Sequence, residues 1–299
     1  MSIELDLRGI SENSHTHARD SLWWKSQAEV FQARLDAAYE DLDLILHFGN
    51  DSNDVGGGGG FPFFVPSVDM GAVHSRDLFG LDELIIFSFY FQNRHRYRRV
   101  VDLGANIGVH SGILAKLGYS VESYEPDPSH SALAAQLMVK NSIGVSEVVW
   151  HQEAVVPDSE VGAGVVEFVR VLGNTTSSHV KGAKEPYGAL ESFSVPAQGV
   201  RKALGSADLV KMDVEGLEAD LLESLVSSHE EARFPDVMCE VGQPEKSERI
   251  FHLALSKGLR LYAQKINWEL VSDASEMPTS YKEGSLFLTA SQRGPWESQ

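Results

Sequence analysis

The chain has 299 residues, 42% of them hydrophobic, enough to bury a full core in one large α/β domain with an extension, or in two domains. With 25 Lys and Arg against 43 Asp and Glu, the formal net charge is -18, so a nonspecific contact with a phosphate backbone would oppose the field of the whole molecule, and nucleic acid is a poor first guess. One cysteine, Cys239 in the apolar text "DVMCEV", excludes a disulfide framework and a cysteine-rich zinc site and reads as a buried thiol.

Residues 1–20 are polar, with no basic region followed by an apolar stretch, and no segment reaches about 18 uncharged apolar residues. The expectation is a cytoplasmic protein without stable membrane insertion. Trp24, Ala28, Phe31, Leu35, Ala38, Leu42 and Ile45 recur at steps of three and four, which predicts one helix with an apolar stripe. "NDSNDVGGGGGFPFFVP" breaks the pattern: Gly56 to Gly60 read as a loop, and Phe61, Phe63 and Phe64 as its anchor. "DLFGLDELIIFSFYFQ" reads as a turn and an apolar helix, with a strand as the alternative for "LIIFSFYF". Arg94, Arg96, Arg98 and Arg99 with His95 fit a solvated helix end, which favours positive charge, or a contact to an anionic substrate.

From residue 99 strands and helices alternate. "RVVDLG", "SVESYEPD", "SEVVWHQEAVV", "ADLVKMDVEG" and "PDVMCEVG" read as strands, with "GVVEFVRV" a further short one. "GVHSGILAKLG", "PSHSALAAQLMVKN", "LEADLLESLVSS" and "EKSERIFHLALSKG" read as helices, and Asp127 with Pro128 is a helix start. "LRLYAQ" and "GSLFLTA" close the chain as strands around a polar loop. This order predicts a mostly parallel sheet covered on both faces, with ligands collected at the carboxyl ends of its strands.

"VDLGANIGVHSG" sits at such an end. Gly104 and Gly108 permit a tight turn, and the following helix offers free amide donors to a nucleoside-like ligand. The text lacks both the GxxxxGK phosphate loop and GxGxxG spacing. Glu125, 17 residues after Gly108 at the next strand end, is placed to accept both hydroxyls of a ribose.

Together with "YEPDP" and "KMDVEGLEADLLE", this loop resembles the FkbM family of S-adenosylmethionine-dependent methyltransferases over residues 98 to 290, including the small-residue loop "GNTTSSHV". The resemblance implies a class I methyltransferase fold: a Rossmann-like, seven-stranded sheet whose last strand is antiparallel. It divides the chain into an N-terminal extension, residues 1–97, and a methyltransferase domain, residues 98–299. It implies S-adenosylmethionine as cofactor, held by Asp102, Gly104, Ala105, Asn106, Ile107, Gly108 and Glu125, with Glu153 and Ala154 beside the adenine and Asp213 in contact. The implied reaction is O-methylation of a small hydroxylated molecule, such as a natural-product alcohol or a sugar.

Direct methyl transfer needs alignment of two ligands, exclusion of water and, for an alcohol, a proton acceptor. Asp213, Glu215 and Glu240 fall at strand ends on the ligand side and are the leading acids, each with the plainer role of orienting a turn. Glu218, already on a helix, is expected to support packing or face solvent. His179 in the 173–188 loop is a further base candidate, with Lys181, Lys184 and Tyr187 lining the same entrance; His110 is the other histidine near the loop. Three carboxylates also suit Mg²⁺ or Ca²⁺, but no metal is assigned: there is no HExxH, and "HTH" at 15–17 lacks visible partners. "DVEG" replaces the Pro-Pro-aromatic text associated with nucleobase methylation. Methylation of nitrogen, lipid, glycan or protein, and a noncatalytic nucleoside-binding interaction protein, stay open as alternatives, as does a homo-oligomer. The substrate walls are expected from residues 18–97, 173–188 and 264–284.

Overall fold

The computed structural model describes residues 3–7, 22–36, 41–48, 60–227 and 234–297. The readings of the His15 to His17 tail, of Ala38 and of Gly56 to Gly59 fall outside these residues.

The main sheet is built largely from short, continuously buried runs, as strands covered on both faces require. Its strands are β4 (Arg99–Leu103), β5 (Ser120–Tyr124), β6 (Val148–His151), β11 (Leu209–Met212), β12 (Asp236–Glu240), β13 (Arg260–Ala263), β14 (Glu269–Leu270) and β15 (Ser285–Thr289). Their order is β14-β13-β15-β12-β11-β4-β5-β6, with β15 antiparallel to both its neighbours. This is the expected α/β sheet with an antiparallel last strand; the two-residue β14 adds an eighth at the edge. The chain runs outward through β4, β5 and β6, then returns to β11 beside β4. The order therefore reverses between β4 and β11, the point at which such sheets open a ligand crevice.

Neighbouring residues of each strand serve opposite faces. Val100, Leu209, Met238 and Phe287 join one apolar cluster with helices α2 (Leu81–Gln92), α3 (Val109–Lys116) and α4 (Pro128–Lys140). Val101, Val210, Val237 and Leu288 join another with α5 (Val200–Leu204), α6 (Glu218–Val226) and α7 (Pro244–Lys257). Cys239 lies fully buried in the second cluster. Asp127 caps α4 by accepting from the Ser129 N–H at 2.8 Å, as Asp-Pro at a helix start should.

The residues before 98 share the first cluster rather than forming a core of their own: Leu5, Phe31, Leu35 and Phe63 pack with Ile107, Ile113 and Leu137. The helix expected from Trp24 to Ile45 is shorter. Helix α1 spans Leu22–Asp36, and Leu42 and Ile45 belong to strand β2 (Leu42–His47), which pairs with β1 (Ile3–Asp6) and β3 (Gly60–Val65). The reason is period: Leu42, Leu44 and Leu46 alternate buried against Asp43, Ile45 and His47, which is strand spacing. "LIIFSFYF" takes the helical alternative as α2, whose residues Leu84 to Phe91 are buried on every side.

The text "SEVVWHQEAVV" splits in two. After β6 the chain turns at Gln152 and Glu153, and β7 (Ala154–Val156) enters a separate sheet with β8 (Val165–Val171), β9 (His179–Val180) and β10 (Leu190–Gly199), in the order β7-β10-β8-β9. The ten-residue β10 lies where no strand was expected, and β9 where a plain loop was. No helix among the described residues is long and apolar enough to cross a membrane.

Candidate functional site

A cavity of about 710 Å³ opens at the carboxyl ends of β4, β5, β11 and β12. Gly104, Asn106, Glu125, Glu153, Ala154, Asp213, Glu215 and Glu240 all line it, so residues expected for cofactor and for chemistry share one space.

The loop after β4 is shaped from the backbone outward. Gly104 (φ 75°), Asn106 (φ 52°) and Gly108 (φ 84°) are left-handed, which turns the chain from strand into α3. Gly104 is required for a reason other than close cofactor approach: a β-carbon there would lie 1.8 Å from the Asp213 carbonyl oxygen. The loop is therefore pressed against the end of β11. Ala105 and Ile107 are buried and do not line the cavity, so their part is to anchor the loop. Asp102, with no exposed surface, also lies behind the loop, where it accepts from the Ser111 hydroxyl at 2.6 Å.

Glu125 is 6% exposed and rigidly held. Its Oε2 accepts from the Asn106 N–H and its Oε1 from the Asp127 N–H, both at 2.8 Å. Each oxygen keeps a lone pair for a further donor, the arrangement that a vicinal diol satisfies. Burial pushes its pKa up to about 7, the two backbone N–H groups opposing that rise. The Oδ1 of Asn106 is buried without a hydrogen-bond partner, which leaves an acceptor for a ligand donor. Tyr124, stacked on His151 at 4.4 Å, lines this part with Ala154, Val155 and Phe168, a flat apolar wall of the kind an aromatic base occupies. These groups fit an adenosine.

The second group is acidic. Glu215 sits in the turn after β11 with φ 54° and pairs with Lys184. Burial and then the Asp213 charge push its pKa up to about 7, against the pull of Lys184. Glu240, at the end of β12, is raised well above the usual carboxylate range by burial and by Asp213, Glu83 and Glu215. Glu218 is buried rather than at the surface: its Oε1 accepts from the Gly216 N–H at 2.9 Å and the Val214 N–H at 3.3 Å, which fixes the acid-bearing turn. Lys246 ties the same turn down by donating to the carbonyls of Gly216 and, at 2.7 Å, Ala183.

His179 does not reach the cavity. Its ring is 1% exposed, Nδ1 is 2.9 Å from the Ser177 carbonyl oxygen, and burial lowers its pKa. A histidine so enclosed supports the β8–β9 turn and is no general base for a ligand in the cavity. Lys184 and Tyr187 do line the cavity and Lys181 does not; its ammonium pairs with Glu167 at 2.8 Å. The basic run 94–99 is likewise absent from the lining, with Arg96 held at 2.6 Å by Asp236.

Two lining acids come from the region before 98, where the motifs were silent. Asp77 and Glu83 face the cavity, and Glu83 Oε2 lies 2.9 Å from His110 Nε2, whose Nδ1 is 2.9 Å from the Tyr90 hydroxyl. His110 thus orients an acid instead of meeting a ligand. Burial alone would raise Glu83, but His110 holds it below the ordinary carboxylate value. The Glu83–His110 pairing joins residues 27 apart and has no motif of its own. No group of three or more His, Cys, Asp or Glu among the described residues is arranged to hold a metal ion.

No protein-family model and no curated protein matches the sequence. Among solved structures the chain is similar to the StiE O-MT residues 942-1257, at 14% identity over 57% of this chain and 50% of that one, with a TM-score of 0.34. It is similar to the SAM-dependent methyltransferase from Agrobacterium tumefaciens, at 10% identity over 82% and 75%, with a TM-score of 0.42. It is also similar to precorrin-6y C5,15-methyltransferase from Geobacter metallireducens GS-15, at 8% identity over 75% and 94%, with a TM-score of 0.39. The chain spans about half the length of the StiE structure it matches.

Proposed function

We propose that this chain is an S-adenosylmethionine-dependent methyltransferase of the FkbM type that methylates a hydroxyl of a small molecule in the cytoplasm. The observation that carries the proposal is Glu125, held through Asn106 and Asp127 with a lone pair free on each oxygen, in the cavity that also receives Asp213, Glu215 and Glu240. When bound, the cofactor supplies an electrophilic methyl group on a positively charged sulfur.

The chain's residues have four tasks: holding the ribose at Glu125, bounding the base with Tyr124, Ala154 and Phe168, excluding water and receiving a proton. With the cofactor supplying the methyl group and keeping the carbon–sulfur electron pair, the part left to the chain would be to take the hydroxyl proton of the acceptor onto a carboxylate. Asp213 and Glu215 are the acceptors proposed for it. Glu240, whose carboxyl is pushed well above the usual carboxylate range by burial and by Asp213, is the group proposed to orient the acceptor.

The test is calorimetric titration of the chain with S-adenosylmethionine and with NAD, then a labelled-methyl screen of hydroxylated metabolites read by mass spectrometry. Binding of S-adenosylmethionine alone with label on oxygen supports the proposal. Label on nitrogen corrects the acceptor, and binding without transfer to any acceptor favours a nucleoside-binding interaction protein.

A further inference from the structure

We propose that Lys211 is a positioning residue that locks the nucleoside loop and the acid-bearing turn into one register; this rests on the methyltransferase proposal above. Lys211 lies on β11 directly across from Asp102 on β4, at the reversal of strand order. It is only 7% exposed, and an ammonium in the middle of a buried strand is expensive unless it is paired and hydrogen-bonded. Its Nζ donates to the Gly104 carbonyl oxygen at 2.9 Å and lies 3.4 Å from Asp102 Oδ1 and 3.6 Å from Asp213 Oδ2. One side chain thus reaches the cofactor loop and the first acid of the opposite turn. Burial acts to lower its pKa, but the charges of Asp102, Asp213 and Glu83 hold it above the ordinary lysine value.

The two loops also meet through backbone. The Asp213 N–H donates to the Leu103 carbonyl at 3.0 Å, and Gly104 leaves no room for a β-carbon against the Asp213 carbonyl. Backbone contact fixes how close the loops come. Lys211 adds direction, because it orients the Gly104 peptide and the Asp213 carboxylate from a single atom. In-line transfer is sensitive to such alignment, with a misplacement of about 1 Å costing on the order of 100-fold.

The plainer role is neutralisation of buried Asp102, and charge removal separates the two. S-adenosylhomocysteine binding is measured by calorimetry, and melting temperature by scanning calorimetry, for wild type, Lys211→Met, Asp102→Asn and the Lys211→Met/Asp102→Asn double variant. Lys211→Met is expected to lose stability and affinity together. The double variant, with no stranded charge at buried position 102 and only the more exposed Asp213 left without its lysine, is expected to recover most of the melting temperature yet bind at least about 10-fold more weakly than wild type. Asp102→Asn, which keeps the Lys211–Gly104 bond, is expected to stay within about 3-fold of wild-type affinity. Wild-type affinity in the double variant overturns the proposal. So does a loss in Asp102→Asn equal to that in Lys211→Met, an arm that stands even if the double variant does not fold. A wild-type chain that does not bind S-adenosylhomocysteine overturns the methyltransferase proposal itself.

Discussion

The two sides of the cavity are made by different means. The side proposed for the nucleoside centres on consecutive strand-and-loop units between Gly104 and Asp127, with Ala154, Val155 and Phe168 adding its flat wall, and its key contacts are backbone N–H groups aimed at one carboxylate. The acid side is gathered from distant places: Asp77 and Glu83 before the main sheet, Lys184 in a loop, Asp213 and Glu215 after β11, and Glu240 at the end of β12. The first specifies a shape and needs few side chains. The second specifies a protonation pattern, since burial and then Asp213 raise both Glu215 and Glu240, and Glu215 raises Glu240 further. Shape of this kind survives local sequence change poorly and is written in motifs; a charge pattern can be carried by many residue combinations.

Gly104→Ala should break both sides at once, because the new β-carbon meets the Asp213 carbonyl in a left-handed residue. A loss of about 3 kcal/mol in urea unfolding is expected, and wild-type stability would show that the two loops do not touch. Next comes pH. Glu125, at about 7 in the folded chain against 4.5 ordinarily, binds a proton more tightly folded than unfolded. Its contribution is complete below pH 4.5 and is lost as pH rises to 7, a decline of about 3 kcal/mol that Glu125→Gln should subtract from the unfolding curves across that range, leaving the part that comes from Glu215 and Glu240. On the proposed ribose role, in which the ionised carboxylate is the acceptor, S-adenosylmethionine affinity should rise over the same interval.

Glu125→Ala should weaken cofactor binding by about 2 kcal/mol in calorimetry, and unchanged affinity would remove the ribose role. Lys184→Met tests whether the sides are separable: it frees Glu215 while touching nothing on the nucleoside side. Turnover should fall by about 10-fold with cofactor affinity unchanged. The smallest effect is expected at buried His179, where His179→Leu should leave turnover within about 2-fold of wild type; a collapse of turnover in a folded variant would return it to the chemistry.

Much of the nucleoside side was legible in the sequence because its determinants are local: glycine spacing, an acid at a strand end, and Asp-Pro opening a helix. The mostly parallel sheet also followed from alternating elements. The side chains of Asp102 and Ile107 lie behind the cavity wall, since a loop motif does not reveal which residues point backward into the core. Lys211 was hidden inside "KMDVEG", where a lysine between apolar residues reads as part of a strand and its partners, Asp102 and the Gly104 carbonyl, lie more than 100 residues away. Strand β2 was misread because Leu42 and Ile45 continue a three-and-four spacing by coincidence, while Leu42, Leu44 and Leu46 carry the period of two. Strand β10 gave little signal, with Pro196 in its course and most of its first half exposed.

Gly112 on α3 has space for no side chain: a β-carbon there would come within 2.9 Å of the Phe63 ring, and α2 is wrapped in apolar contacts along its length. In evolutionary terms the segment before residue 98 is an organ rather than an ornament. A gene fragment starting at 98 would lack α2, and with it Glu83 from the cavity wall, and would uncover the face of α3 on which Phe63 and α2 pack, so the aromatic segment and the glycine-bearing helix are expected to change together.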